Sequence, residues 1–226
     1  MNLHTFLGLS IAALAMAGCA APPPGATQAM QEGLVAVHSR NLDGLYLRPD
    51  ANLPGYHRVM IDPVRVDVRT QMHAYNRIQA PAVYPEDLDR FAKETAASLN
   101  DIVAEAFTLR GYEIAAAPEP GVLRVSPSVA ELFVYAPDRL SPWRTRNFTR
   151  DAGQAVLYLE VRDAVSGALL GRVVHRGIAR EVSRINVTDN VSNHFWFDAM
   201  FRRWAENCVA EFQAGRREPA VTRQVL

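Results

Sequence analysis

Between residues 85 and about 110 a largely apolar set returns every three or four positions: Leu88, Phe91, Thr95, Leu99, Ile102, Ala106 and Leu109. That period draws one stripe down an α-helix, and a helix so striped must lay it against another element. Pro85 suits the first helical position, and Glu86, Asp87 and Asp89 oppose the positive end of the helix dipole. Gly111 supplies the left-handed residue that commonly follows a helix. Just upstream, over residues 58–68, Val64, Val66 and Val68 alternate with charged residues at the period of a half-buried strand. Pro63 removes a backbone donor there, so the strand is at an edge or bulged. A striped helix directly after an alternating strand predicts an α/β fold.

The rest of the chain extends this pattern. Residues 112–117 offer a short strand, and 122–135 a longer one with Leu123, Val125, Val129 and Phe133 on one face. A polar loop over 136–152 separates it from two β-rich runs, 154–162 and 168–180. The connection Asp163-Ala164-Val165-Ser166-Gly167 between them has the grammar of a hairpin turn. From Thr188 or Asp189 to about residue 214, Phe197, Phe201, Trp204, Cys208 and Phe212 form a second helical stripe. The order β–α–β–β–β–α predicts a two-layer sandwich: a mixed sheet with two long amphipathic helices on one face. If the strands flanking the long helix are neighbours, that crossover makes them parallel. Residues 34–218 are read as one domain, residues 33–56 as its ordered, irregular approach and 219–226 as a mobile tail.

Residues 1–18 hold no Lys, Arg, Asp or Glu, and their apolar run of about a dozen residues is too short to cross a bilayer core of about 30 Å. Such a run ending in small residues has the form of a secretory signal. Met16-Ala17-Gly18-Cys19 resembles a lipobox, where a bacterial signal is cut before a cysteine that carries acyl chains such as palmitate. Met at the aliphatic position and a sparse positive n-region depart from the usual pattern. An ordinary signal cut near Ala20 or Ala21 is the alternative. Ala20-Ala21-Pro22-Pro23-Pro24-Gly25 reads as an extended linker, and 19–33 as a flexible tether from an acylated Cys19. By resemblance to lipoproteins in general, Ala20 after the cysteine implies the outer membrane of a Gram-negative envelope, with the domain facing the periplasm.

The 24 basic and 24 acidic residues cancel, so a general attraction of the whole molecule to nucleic acid or anionic lipid is not expected. Two cysteines exclude a disulfide scaffold and a four-cysteine zinc site. His4, His38, His57, His73, His175 and His194 form no pair at helical metal spacing. No His-Glu-x-x-His, Gly-x-Ser-x-Gly or phosphate-binding glycine loop occurs. Cys208, on an apolar stripe, reads as packed and inert. Neither a cofactor nor a metal is expected.

The stretches Tyr56-His57-Arg58-Val59-Met60-Ile61-Asp62-Pro63-Val64 and Gly121-Val122-Leu123-Arg124-Val125 carry a resemblance. So do Ala152-Gly153-Gln154-Ala155, Glu160-Val161-Arg162-Asp163 and Ser166-Gly167-Ala168-Leu169-Leu170-Gly171-Arg172, all ahead of a Trp-bearing C-terminal helix. Together they resemble a family of bacterial envelope lipoproteins catalogued as domain of unknown function 3313. The resemblance implies a lipidated envelope domain and brings no catalytic residues.

Three features invite binding. Asp62 before Pro63 has the form of a structural acceptor. Alternation puts Arg172, Arg176 and Arg180 on one strand face, with Glu160 and Arg162 opposite. This face is either solvated and cross-strand paired or, joined with Arg139, Arg144, Arg146 and Arg150, a basic patch for anionic lipid, lipopolysaccharide or peptidoglycan. In His194-Phe195-Trp196-Phe197 one ring is surplus to the helix stripe; it is either packed or, as Trp196, an exposed anchor for a partner. The expectation is a non-enzymatic outer-membrane lipoprotein that binds an envelope protein or polymer. A small-ligand binder or a hydrolase with a dispersed site is the alternative, and oligomeric state stays open.

Overall fold

A computed structural model of the chain describes residues 26–68, 85–134, 151–180 and 190–215. Its elements are α1 (Ala26–Gln31), β1 (Val35–Val37), β2 (Gly44–Leu47), a 3-10 turn (Leu53–Gly55), β3 (Arg58–Ile61), β4 (Arg65–Val68), α2 (Pro85–Leu109), β5 (Glu113–Ile114), β6 (Val122–Val134), β7 (Asp151–Asp163), β8 (Leu169–Arg180) and α3 (Asn190–Gly215). Eight strands form one mixed sheet in the order β1-β2-β8-β7-β6-β3-β5, with β4 also paired to β6. The fold is α/β, with α2 and α3 together on one face.

The strand around Pro63 behaves as its sequence demands. It splits into β3 and β4, both parallel to β6, with Val59 opposite Leu123 and Val66 opposite Val129. β3 has neighbours on both sides, whereas β4 pairs with β6 alone among the described residues. The missing proline donor therefore falls where the strand passes from sheet interior to sheet edge. The Asp62 N–H bridges the break by donating to the Val125 carbonyl at 2.8 Å. α2 is the crossover that makes β3 and β6 parallel, and β5 adds to β3 as a short parallel strand. Past α2, Gly111 adopts φ +82° and the Tyr112 N–H returns to the Phe107 carbonyl at 3.1 Å.

β6, β7 and β8 form an antiparallel meander in which Ser126, Glu160 and Arg172 lie side by side. Asp163 organises the β7–β8 turn by accepting from the backbone and hydroxyl of Ser166, at 2.7 and 2.8 Å. Gly167 closes that turn at φ +70°. β7 begins at Asp151, so the loop expected over 136–152 is shorter at its C-terminal end. Its remaining residues lie outside those described.

Alternation sends Val125, Val129, Leu157, Leu159 and Val173 into one core with both long helices. All five residues of the expected α3 stripe are buried. α2 contributes Leu99, Ile102, Val103, Ala106 and Phe107, while Leu109 is 73% exposed and leaves the expected stripe. Phe107 takes the last inward position and meets Tyr112 edge-on, with ring centroids 5.2 Å apart. Each large side chain so buried contributes roughly 1.5–3 kcal/mol.

Two parts of the N-terminal region differ from expectation. Within residues 33–56 lie two strands: β2 pairs antiparallel with β8, and β1 with β2. Within the expected tether, 19–33, lies α1, whose Ala29 is fully buried. Ala29 and Leu34 pack on Tyr46, Val156, Leu169 and Val174, on the sheet face opposite α2 and α3. The ordered body thus begins by Ala26 and not near residue 34. The segments 1–18 and 219–226 lie outside the described residues.

Candidate functional site

The sheet face away from α2 and α3 gathers Asp62, Glu160, Arg162, Arg172 and Arg176 from among the polar residues singled out in the sequence. Register places Arg124, Ser126 and Ser128 of β6 beside Arg162, Glu160 and Tyr158 of β7. Glu160 and Val156 in turn lie beside Arg172 and Arg176 of β8. α1 covers the β2–β8 side of this face and reaches the cluster that includes Val156 of β7.

Arg172 is the deepest polar residue of the face, at 4% exposure. Its Nε donates to Glu160 at 3.0 Å, and its Nη2 lies 2.7 Å from Glu32, in the turn after α1. Arg162 Nη2 donates to the other Glu160 oxygen at 3.0 Å. Burial pushes the Glu160 carboxyl upward, but hydrogen bonds and charge from Arg172 and Arg162 outweigh it and hold the pKa below the usual value. The carboxylate therefore stays charged between two guanidinium groups. A carboxylate in this state is a poor proton donor and acts as a structural counter-ion.

A second cluster sits beside the Pro63 break. Arg124 Nε donates to both oxygens of Asp62 at 2.9 Å, and the Ser126 hydroxyl donates to one of them at 2.5 Å. Asp62 is thus the structural acceptor its position before proline implies, tying β3 to β6. At the hairpin end the Tyr56 hydroxyl donates to Asp163 at 2.8 Å. Burial, then the Asp163 bond, pushes the Tyr56 hydroxyl up to about 12. Hydrogen bonds from Ser166, then Tyr56, hold Asp163 down at about 2.

These placements correct part of the expected binding patch. Arg172 faces the same way as Arg176 but is consumed by two carboxylates under α1, so it offers no free charge to a polymer. Arg176 is exposed, and its backbone N–H donates to Asp43 at 2.7 Å. Trp196 is partly buried against the main core; the exposed ring is Phe195, at 60%, set edge-on to it at 4.9 Å. Arg139, Arg144, Arg146, Arg150 and Cys19 lie outside the described residues. Cys208 is fully buried, which drives its thiol pKa well above the ordinary value. Among the described residues no three His, Cys, Asp or Glu side chains gather as a metal-binding group. No helix there is long and apolar enough to cross a membrane.

Sequence reasoning missed Glu32, because it stood within a segment read as tether. It also missed the Arg124–Ser126 partnership with Asp62, which depends on a parallel register that no local pattern discloses.

No family model matches the chain, and no curated protein does. Solved structures do show likeness. A Xanthomonas campestris protein of domain-of-unknown-function family 330 shares 12% identity over 72% of this chain and 87% of its own, with TM-score 0.43. The PelC dodecamer from Paraburkholderia phytofirmans shares 11% over 77% of this chain and 96% of its own, with TM-score 0.36. A protein of domain-of-unknown-function family 4136 from Bacteroides thetaiotaomicron shares 9% over 80% and 97%, with TM-score 0.31. These are partial likenesses of fold.

Proposed function

We propose that this chain is a non-enzymatic lipoprotein of the Gram-negative outer membrane, serving as a binding or accessory module on the periplasmic side. The observation that carries the reading is Met16-Ala17-Gly18-Cys19, followed at once by Ala20-Ala21-Pro22-Pro23-Pro24. Acyl chains on Cys19 would each contribute about 0.8 kcal/mol per buried methylene, and two or more make the attachment lasting. The short motifs resembling domain of unknown function 3313 support the same assignment. The polar groups of the open sheet face support a non-catalytic role. Glu160 and Asp163 are held below the ordinary carboxylate range by their donors, a poor state for proton donation, and Asp62 is occupied by Arg124 and Ser126.

Mass spectrometry of the N-terminal peptide from the native envelope tests the anchor. Fatty acid on Cys19, and transfer of Cys19→Ala to the soluble periplasmic fraction, are the expected results. A free or absent Cys19 in the native protein overturns the reading. In-cell cross-linking, compared with Cys19→Ala, then identifies the partner.

A further inference from the structure

We infer that the open sheet face, around Arg124, Arg176 and Ile178, is turned toward the anionic headgroups of the leaflet holding the lipid anchor, with α2 and α3 turned away. The inference rests on acylation at Cys19 and adds an orientation to it. Its first support is chain length. Cys19 and Ala26, the first residue of α1, are separated by seven backbone steps, which span at most about 25 Å. α1 lies on the open face, as the burial of Ala29 and Leu34 against Tyr46 and Val174 requires. Packed layers are about 10 Å apart and a helix with side chains is about 10 Å across. The outer surface of α2 and α3 is therefore about 25 Å from α1 even along a straight line through the protein, and the tether must go around. An anchor so short reaches the lipid on the α1 side and is exhausted before it reaches the other.

The second support is charge. α2 carries six acidic and two basic residues, and α3 three and two. On the open face Arg58, Arg65, Arg124, Arg162, Arg172 and Arg176 stand against Glu32, Asp62, Asp67, Glu113 and Glu160, so this face is close to neutral where the two helices are net acidic. An anionic surface repels the helical layer and admits the sheet layer. Ile178, 45% exposed, projects from the same face as Arg176. Arg172 serves this surface indirectly, because its link to Glu32 holds α1, and with it the tether, on this face.

The test uses the acylated full chain in vesicles of phosphatidylethanolamine and phosphatidylglycerol that carry a headgroup nitroxide. A fluorophore is placed at Ile178→Cys or, on the outer side of α2, at Ala97→Cys; both positions accept a probe because both are exposed. Cys208 is buried and does not compete for label. Several-fold stronger quenching at position 178 than at 97 is expected, reduced by high salt and by adding Arg176→Glu. Equal quenching, or stronger quenching at 97, on protein shown by mass spectrometry to be acylated overturns the orientation and leaves the anchor standing. Protein purified from the envelope without an acyl chain overturns both.

Discussion

Arg172 and Glu32, distant in sequence, meet at 2.7 Å where the turn after α1 crosses the sheet, and Glu160 on the adjacent strand completes the contact. A guanidinium this deep is tolerable only while its carboxylates are in place, since removing one partner of a buried pair costs about 3–5 kcal/mol. Arg172→Met should destabilise the domain by about 3 kcal/mol in urea unfolding. Adding Glu160→Leu should cost less than the sum of the single changes, because both remove one interaction. Glu32→Ala should act more locally. Hydrogen exchange over residues 26–34 should accelerate while β7 and β8 keep their protection. Uniform loss of protection across the sheet would contradict the picture of α1 as a separately secured strap.

Two glycines predict opposite tolerance to one added methyl group. At Gly153 a Cβ would lie 2.1 Å from the Phe133 carbonyl oxygen and 2.6 Å from Phe197 Cζ, backbone and packed ring that cannot yield. At Gly177 the nearest atom is Met200 Sδ at 2.5 Å, on a flexible side chain. Gly153→Ala should therefore cost about 3 kcal/mol or more, and Gly177→Ala below about 1 kcal/mol. Thermal midpoints of the two variants check this, and equal midpoints would refute it.

Glu131 is the non-glycine residue of the described chain with positive φ, at 52°, and it sits at the bulge that breaks the β6–β7 register between Ala130 and Phe133. A left-handed conformation costs an ordinary L-residue roughly 1–2 kcal/mol, while glycine gives back part of that in chain entropy. Its side chain is exposed. Glu131→Gly should raise stability by about 0.5 kcal/mol. A clear loss in denaturant titration would mean that the carboxylate has a role at the bulge.

How legible this fold was depended on whether burial was one-sided. β4, β6 and the α3 stripe each bury one face, so their periods of two or three to four stood out in the sequence. β2 buries both faces: Leu45 and Leu47 meet the main core while Tyr46 meets α1, and the run Leu45-Tyr46-Leu47 shows no alternation. α1 is six residues long, too short for a stripe, and follows a proline run that reads as linker. The site failed for a related reason. Alternation assigned Arg172 and Arg176 to one face, but it carries no information about what covers that face. Only the docking of α1 separates the consumed arginine from the exposed one. Asp62 was legible as a structural acceptor from its position before Pro63, whereas its donors came from a strand beyond the crossover helix.

The Tyr56–Asp163 bond gives the domain a pH signature on both flanks. Tyr56 is held protonated up to about 12, above its ordinary value of 10.0. Its contribution is therefore complete below pH 10 and is lost as pH rises from there toward 12. Asp163 is held down to about 2 from 3.8, so its contribution is complete above about pH 4 and is lost as pH falls toward 2. The two flanks have different owners. Most of the Asp163 depression comes from the Ser166 backbone and hydroxyl, and the Tyr56 hydroxyl adds to it. Tyr56→Phe should accordingly remove the part of the alkaline loss that lies between pH 10 and 12 while keeping most of the acid response. Ser166→Ala should weaken the acid response and leave the alkaline one nearly unchanged. Urea midpoints measured from pH 2 to 12 for the three proteins decide it. If Tyr56→Phe flattened the acid flank more strongly than Ser166→Ala, the Ser166 hydroxyl would not outrank the Tyr56 hydroxyl as a source of the Asp163 shift.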